Sequence, residues 1–99
     1  MTINGYETQT TFWNDFSIAD RFGRSAILDT FNRASSEWKS NAVYMTELVM
    51  VLNWKCWDYY EKGNLTLSRL YSDLYYKADA LASESLSGED LAYYYRTAD

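Results

Sequence analysis

The chain contains no proline and no histidine, and it has only four glycines and one cysteine among its 99 residues. Domains built from β-strands need turn residues at regular intervals, so the scarcity of proline and glycine favours helices. The missing histidine removes the usual general base at neutral pH and the commonest metal ligand. A single cysteine, Cys56, excludes an internal disulfide.

Neither a membrane span nor a secretion signal is expected. The longest apolar run, 48–52, is far shorter than the bilayer requires, and the N-terminus lacks a charged region followed by an apolar one. These features predict a cytoplasmic protein. Its net charge of −5 and pI near 4.6 disfavour binding to nucleic acid or to anionic membranes. The acidity suits a basic protein surface, and it equally suits simple solubility.

Hydrophobic periodicity predicts an all-α fold, a compact bundle of four to five helices. Residues 1–10 are mostly polar and are expected to form a flexible arm, while residues 11–99 form a single helical domain. The segment 11–23 is either one helix or two half-helices, because Ser17 and Asp20 resemble a capping box inside it.

The middle of the chain predicts a central helical hairpin. A helix is expected to begin at Ser25, and a third, about 42–62, is apolar over most of its circumference. A fourth, about 66–85, carries a leucine row at intervals of three and four residues. Gly63 is expected to end the third helix, and the turn that follows it is short. The last two of these helices should therefore pack antiparallel.

The last predicted helix has the strongest start signal. Ser87 and Asp90 form a capping box and Leu86 and Leu91 a hydrophobic staple, so a short helix should run over 88–96. The three consecutive tyrosines within it point about 100° apart, so they cannot all enter the core.

Catalysis is poorly supported by the residues available. The sequence has no phosphate-binding glycine loop, nucleophile elbow or cysteine pair. Cys56 lies on an apolar row, where a thiol is usually a small buried hydrophobe. We therefore expect no enzymatic activity, no cofactor and no metal site.

Tyrosines next to acidic residues are more informative. Tyrosine is enriched at protein interfaces, and acids interspersed with aromatic rings suit an arginine-rich partner. The alternative is that half-buried tyrosines only border the core. Trp54 and Trp57 lie off the main core row, and they are expected to be core residues that receive the first two helices.

Five strings carry a family resemblance: TFWNDFSIAD (11–20), DTFNRA (29–34), TELVMVLN (46–53), and, at the ending, GEDL (88–91) and YRTAD (95–99). Over about residues 11–99 the chain resembles small acidic proteins of unassigned function on conjugative and other mobile elements of Gram-positive bacteria. At class level it is similar to anti-CRISPR and antirestriction proteins. That similarity implies a protein that blocks a host defence nuclease.

The leading hypothesis is therefore a small acidic interaction protein that inhibits a partner with a basic surface, such as the nucleic-acid channel of a CRISPR effector nuclease. The candidate partner-binding residues are Asp73, Tyr76, Asp79, Glu84, Glu89, Asp90, Tyr94 and Tyr95. The alternative hypothesis is a self-associating structural or regulatory helical protein, a homodimer with no nuclease partner, in which outward Tyr and Trp rings pair across a two-fold axis.

Overall fold

The computed structural model describes residues 5–98 of the chain, with side chains from residue 9 onward. This part of the chain folds into five α-helices joined by short turns, which confirms the predicted all-α class. The helices are α1 (Gly5–Asp20), α2 (Arg24–Trp38), α3 (Ala42–Glu61), α4 (Leu65–Ser85) and α5 (Gly88–Ala98).

The α3–α4 hairpin forms the centre of the bundle. Gly63 takes φ +80°, which ends α3, and the Asn64 side chain caps α4 by accepting a hydrogen bond from the Leu67 backbone N–H at 3.1 Å. Asn41 caps α3 in the same way, accepting from the Tyr44 N–H at 3.2 Å. These short connections confirm the predicted antiparallel pair.

The core lies between this hairpin and the other three helices. Phe16 of α1 is fully buried and meets the Tyr71 ring edge-on at a centroid distance of 5.8 Å. The indole of Trp38, at the end of α2, stacks on Tyr44 of α3 at 3.9 Å. A Cα radius of gyration of 13.0 Å matches a compact domain of this length, about 13 Å.

Helix α1 settles an alternative that the sequence left open. It runs without interruption from Gly5 to Asp20, so the two half-helices do not occur, and residues 5–10 of the predicted arm are part of this helix. Residues 1–4 of the predicted arm and residue 99 lie outside the described residues. Once Phe12 and Phe16 are packed, each further residue extends the helix at the cost of fixing only its own backbone, and polar side chains do not prevent this.

The expectation that Trp54 and Trp57 belong to the core is wrong. Trp54 is 42 % exposed and Trp57 57 % exposed. The sides of α3 that face the rest of the bundle carry other residues, such as Leu48 and Val51. The two indoles lie on a part of α3 that no described helix covers.

Within residues 5–98, none of the helices combines the length and apolar character needed to span a bilayer.

Candidate interaction surface

The eight predicted partner-binding residues all lie on α4 and α5, but they do not share one environment. Six are exposed, Asp79 is half-buried and Tyr94 is buried. The exposed ones are Asp73, Tyr76, Glu84, Glu89, Asp90 and Tyr95.

Tyr94 is a core residue, so its side chain does not lie on the surface where the sequence-based interpretation placed it. Its side chain is only 1 % exposed, and its hydroxyl donates a hydrogen bond of 2.7 Å to Oδ1 of Asp79. Leu91 and Ala98 lie three residues before and four after it, so all three share the face of α5 that packs on the bundle. Asp79 thus serves inside the protein, as the acceptor for a buried hydroxyl.

Tyr95 has the opposite environment. Its side chain is 48 % exposed, and its hydroxyl lies 3.0 Å from Oγ of Ser83 on α4. This hydrogen bond holds the ring beside α4, close to Glu84, the residue that follows Ser83. An aromatic ring and a carboxylate are therefore presented together to solvent.

The junction of α4 and α5 is an acidic part of the described surface. No lysine or arginine occurs between Lys77 and Arg96 in the sequence, whereas Glu84, Glu89 and Asp90 in this interval are exposed. The last two occupy the first turn of α5, where the positive end of the helix dipole favours them. We refer to Glu84, Glu89, Asp90 and Tyr95 as the acidic junction.

Asp73 and Tyr76 lie apart from this junction, in an open groove between α2 and α4. Arg24 and Lys77 line the same groove. Two cations beside Asp73 weaken the attraction of this region for a basic partner. The eight predicted residues therefore divide into an acidic junction, a groove of mixed charge and a buried hydrogen-bonded pair.

A second exposed surface contains two tryptophans that the sequence-based interpretation assigned to the core. Trp54, Trp57 and Tyr60 follow one another at intervals of three residues and are 42 %, 57 % and 57 % exposed, and the rings of Trp57 and Tyr60 meet edge-on at 5.7 Å. We call these three residues the aromatic face of α3. Their position off the main core row was the signal that could have identified it.

A polar network inside the bundle was also missed. Lys55 is only 3 % exposed. Its ammonium donates hydrogen bonds to Ser17 Oγ at 2.6 Å and to Asp20 Oδ2 at 3.0 Å. The same group lies 4.3 Å from the centroid of the Trp13 ring. Ser17 and Asp20, which the sequence suggested as a capping box, thus hold a buried lysine of α3. The polar groups of this network bind one another.

Two tyrosines complete the network. The hydroxyl of Tyr59 donates to Asp20 Oδ2 at 2.5 Å, and that of Tyr71 donates to Asp20 Oδ1. Burial raises the pKa of both hydroxyls well above their ordinary value, and the hydrogen bonds to Asp20 and its negative charge raise it further. The phenols are therefore neutral donors rather than bases, and the network joins α1, α3 and α4.

Glu47 is a buried carboxyl on the first half of α3. It is 5 % exposed, and its Oε2 has no hydrogen-bond partner among the described residues. Desolvation raises the pKa of Glu47, and a hydrogen bond with the Gln9 side chain partly offsets this.

Because the network is closed and Tyr94 is buried, the acidic junction and the aromatic face of α3 are the surfaces best placed to meet a partner. Both surfaces are identified from the exposure of their residues in this structure, without reference to a related protein. Comparison with protein-family models, with curated proteins and with solved structures gives no match for the chain.

Proposed function

We propose that this protein is a non-catalytic cytoplasmic inhibitor that docks through its acidic junction on a basic surface of another protein. The observation that carries the proposal is the arrangement of exposed Glu84, Glu89 and Asp90 with no lysine or arginine in the sequence between Lys77 and Arg96. A surface of one charge sign steers an oppositely charged partner toward it and speeds association.

Tyr95 adds the contact that charge alone does not supply. An exposed tyrosine offers a large apolar area with few rotatable bonds, and its ring can stack on an arginine guanidinium. The hydrogen bond with Ser83 fixes the ring before binding, so less conformational entropy is lost on docking.

The partner class that we assign is a CRISPR effector nuclease, docked at its nucleic-acid channel. This assignment rests on the resemblance to mobile-element proteins, together with the charge of the junction. A channel that holds phosphates is lined with lysine and arginine, so carboxylates and a tyrosine can occupy it and exclude DNA. Inhibition would then follow from occupancy, without chemistry.

The test compares two variants that remove the same three negative charges. One is Glu84→Gln, Glu89→Gln, Asp90→Asn; its matched control is Asp15→Asn, Asp29→Asn, Glu37→Gln, which neutralises exposed acids of α1 and α2. Association with immobilised, guide-loaded effector nucleases is measured at several salt concentrations, and DNA cleavage by the same complexes is assayed in parallel.

The junction variant should associate about tenfold more slowly or worse, show a flatter salt dependence and fail to inhibit cleavage. The control should keep most of the association rate and the inhibition. Equal losses in the two variants would assign the effect to net charge rather than to the junction. Unchanged association of the junction variant would refute the electrostatic mechanism.

A further inference from the structure

We infer that the aromatic face of α3 is a homodimer interface, on which a second copy of this chain packs its own α3 antiparallel across a two-fold axis through Trp57. This inference is independent of the proposed inhibitor function, because the acidic junction lies on α4 and α5. It assigns the self-association of the alternative hypothesis to three residues, Trp54, Trp57 and Tyr60.

The aromatic face is the uncovered half of a helix side that is otherwise buried. Thr46 lies on the same side of α3, eleven residues before Trp57, and is 0 % exposed, whereas Trp57 is 57 % exposed. Helix α5 packs against α3 but has 11 residues against the 20 of α3. At 1.5 Å per residue, α5 is too short to run along the whole length of α3.

The charges around this face suit a second copy. The chain carries a net charge of −5, so two copies repel one another wherever their acidic surfaces meet. Beside the aromatic face, Asp58 is neutralised by Lys62, whose Nζ lies 2.8 Å from its carboxylate. Glu61 is the remaining exposed charge of α3 beside the aromatic face, so α3 itself contributes little repulsion between two copies.

A two-fold axis through Trp57 gives a register without like charges in opposition. Such an axis places Trp57 against its own copy. Trp54 and Tyr60 lie about 60° to either side of Trp57 around α3, so they flank this central pair on opposite sides. In the same register Glu61 meets Asn53, whose amide can donate a hydrogen bond to it.

The size of the face sets the expected strength. A fully buried aromatic side chain covers roughly 150–250 Å², and the three rings are each about half exposed. Two copies would thus bury roughly 600 Å² of ring surface, about half of what a stable interface requires. Flanking contacts increase the total, so we expect a reversible dimer with a Kd in the micromolar range or above.

Sedimentation equilibrium of the purified chain, from low micromolar to about 1 mM, measures this association. The first variant is Trp57→Glu, which sets two carboxylates against each other at the axis. Its matched control is Phe22→Glu, which introduces the same charge in the α1–α2 turn, in place of a phenyl ring that is 76 % exposed. Circular dichroism establishes that both variants keep their helices.

A second pair of variants tests the register. Asn53→Lys places a cation opposite Glu61 of the second copy, and Asn53→Glu places an anion there. We expect Trp57→Glu to weaken dimerisation at least tenfold, Phe22→Glu to leave it within twofold, and the two Asn53 variants to shift it in opposite directions, tighter for lysine.

A wild-type chain that stays monomeric to about 1 mM overturns the inference. So does a dimer that Trp57→Glu leaves intact, or one that both Asn53 variants shift in the same direction. None of these results bears on nuclease binding, which the junction variants measure separately.

Discussion

Lys55 of α3 and Asp20 at the end of α1 form a 3.0 Å ion pair whose side chains are only 4 % and 10 % exposed. Asp20 also accepts hydrogen bonds from Tyr59 and Tyr71, so one carboxylate holds three donors. A buried charge is tolerated when its hydrogen-bonding capacity is filled, and here Asp20, Ser17 and the Trp13 ring surround the ammonium.

Asp20→Ala should therefore lower the free energy of unfolding by about 3–5 kcal/mol, because it leaves a buried ammonium without its opposite charge and two hydroxyls without their acceptor. The control is Asp58→Ala, which breaks a surface pair with side chains 34 % and 64 % exposed and should cost about 0.5 kcal/mol or less. Urea denaturation measures both. Equal costs for the two variants would show that the buried network adds nothing to stability.

Alkaline pH provides a second test of the network. The pKa values of Tyr59 and Tyr71 are raised in the folded protein above the value of about 10 that tyrosine has in an unfolded chain. The unfolded chain therefore loses these protons first as the pH rises. Their contribution to stability is complete below about pH 10 and declines above it.

Denaturation midpoints measured from about pH 8 to about pH 11 should thus fall more steeply for the wild type than for Tyr59→Phe, which removes one of the two hydroxyls. Tyr76→Phe is the control, because Tyr76 is 67 % exposed; its slope should match that of the wild type. A Tyr59→Phe slope equal to the wild-type slope contradicts the raised pKa of Tyr59.

The order of the helices was predictable because it depends on local signals. Apolar spacing, the cap at Asn41 and the turn at Gly63 act over a few residues, and α3 and α4 begin within one residue of their predicted starts. The Asp20–Lys55 pair joins positions 35 residues apart. Because Lys55 follows an apolar row, the sequence indicates that it has a buried partner but does not identify that partner. Ser17 and Asp20, which are the partners, match the pattern of a local capping box and were interpreted as one.

The surfaces were predicted less well, because burial depends on how far neighbouring helices extend. The tyrosine run of α5 correctly indicated that some of its rings are exposed. Which one is buried follows from the angle at which α5 packs, and that angle placed Tyr94 inside and Tyr95 outside. Trp54 and Trp57 were assigned to the core because the sequence does not specify which part of α3 the other helices leave uncovered.

Glu47 provides a test by stabilisation. Its buried carboxyl has a raised pKa and an oxygen without a hydrogen-bond partner among the described residues. Because the folded pKa exceeds the unfolded one, the protein is most stable when Glu47 is protonated, and stability is lost as the pH rises through the folded pKa. Glu47→Gln keeps the shape and removes the charge.

We expect Glu47→Gln to raise the free energy of unfolding by about 1 kcal/mol at about pH 7, with a smaller gain at about pH 4, where the wild-type carboxyl is largely protonated. Urea denaturation of both proteins at the two pH values measures the difference. A gain of the same size at both values would mean that the charge of Glu47 is not its origin.

The last prediction separates the two tyrosines at the end of α5. Tyr94→Phe removes the hydroxyl that donates to Asp79 and leaves a half-buried carboxylate without that donor, so it should lower the free energy of unfolding by about 1.5 kcal/mol. Tyr95→Phe alters an exposed hydroxyl and should change stability by less than about 0.5 kcal/mol.

In the nuclease-binding assay Tyr95 should matter more than Tyr94. Tyr94→Phe should bind like the wild type once folded, whereas Tyr95→Ala should dissociate faster, because the Tyr95 ring belongs to the acidic junction. A Tyr94→Phe protein that is folded but cannot bind would return Tyr94 to the interface and contradict its assignment to the core.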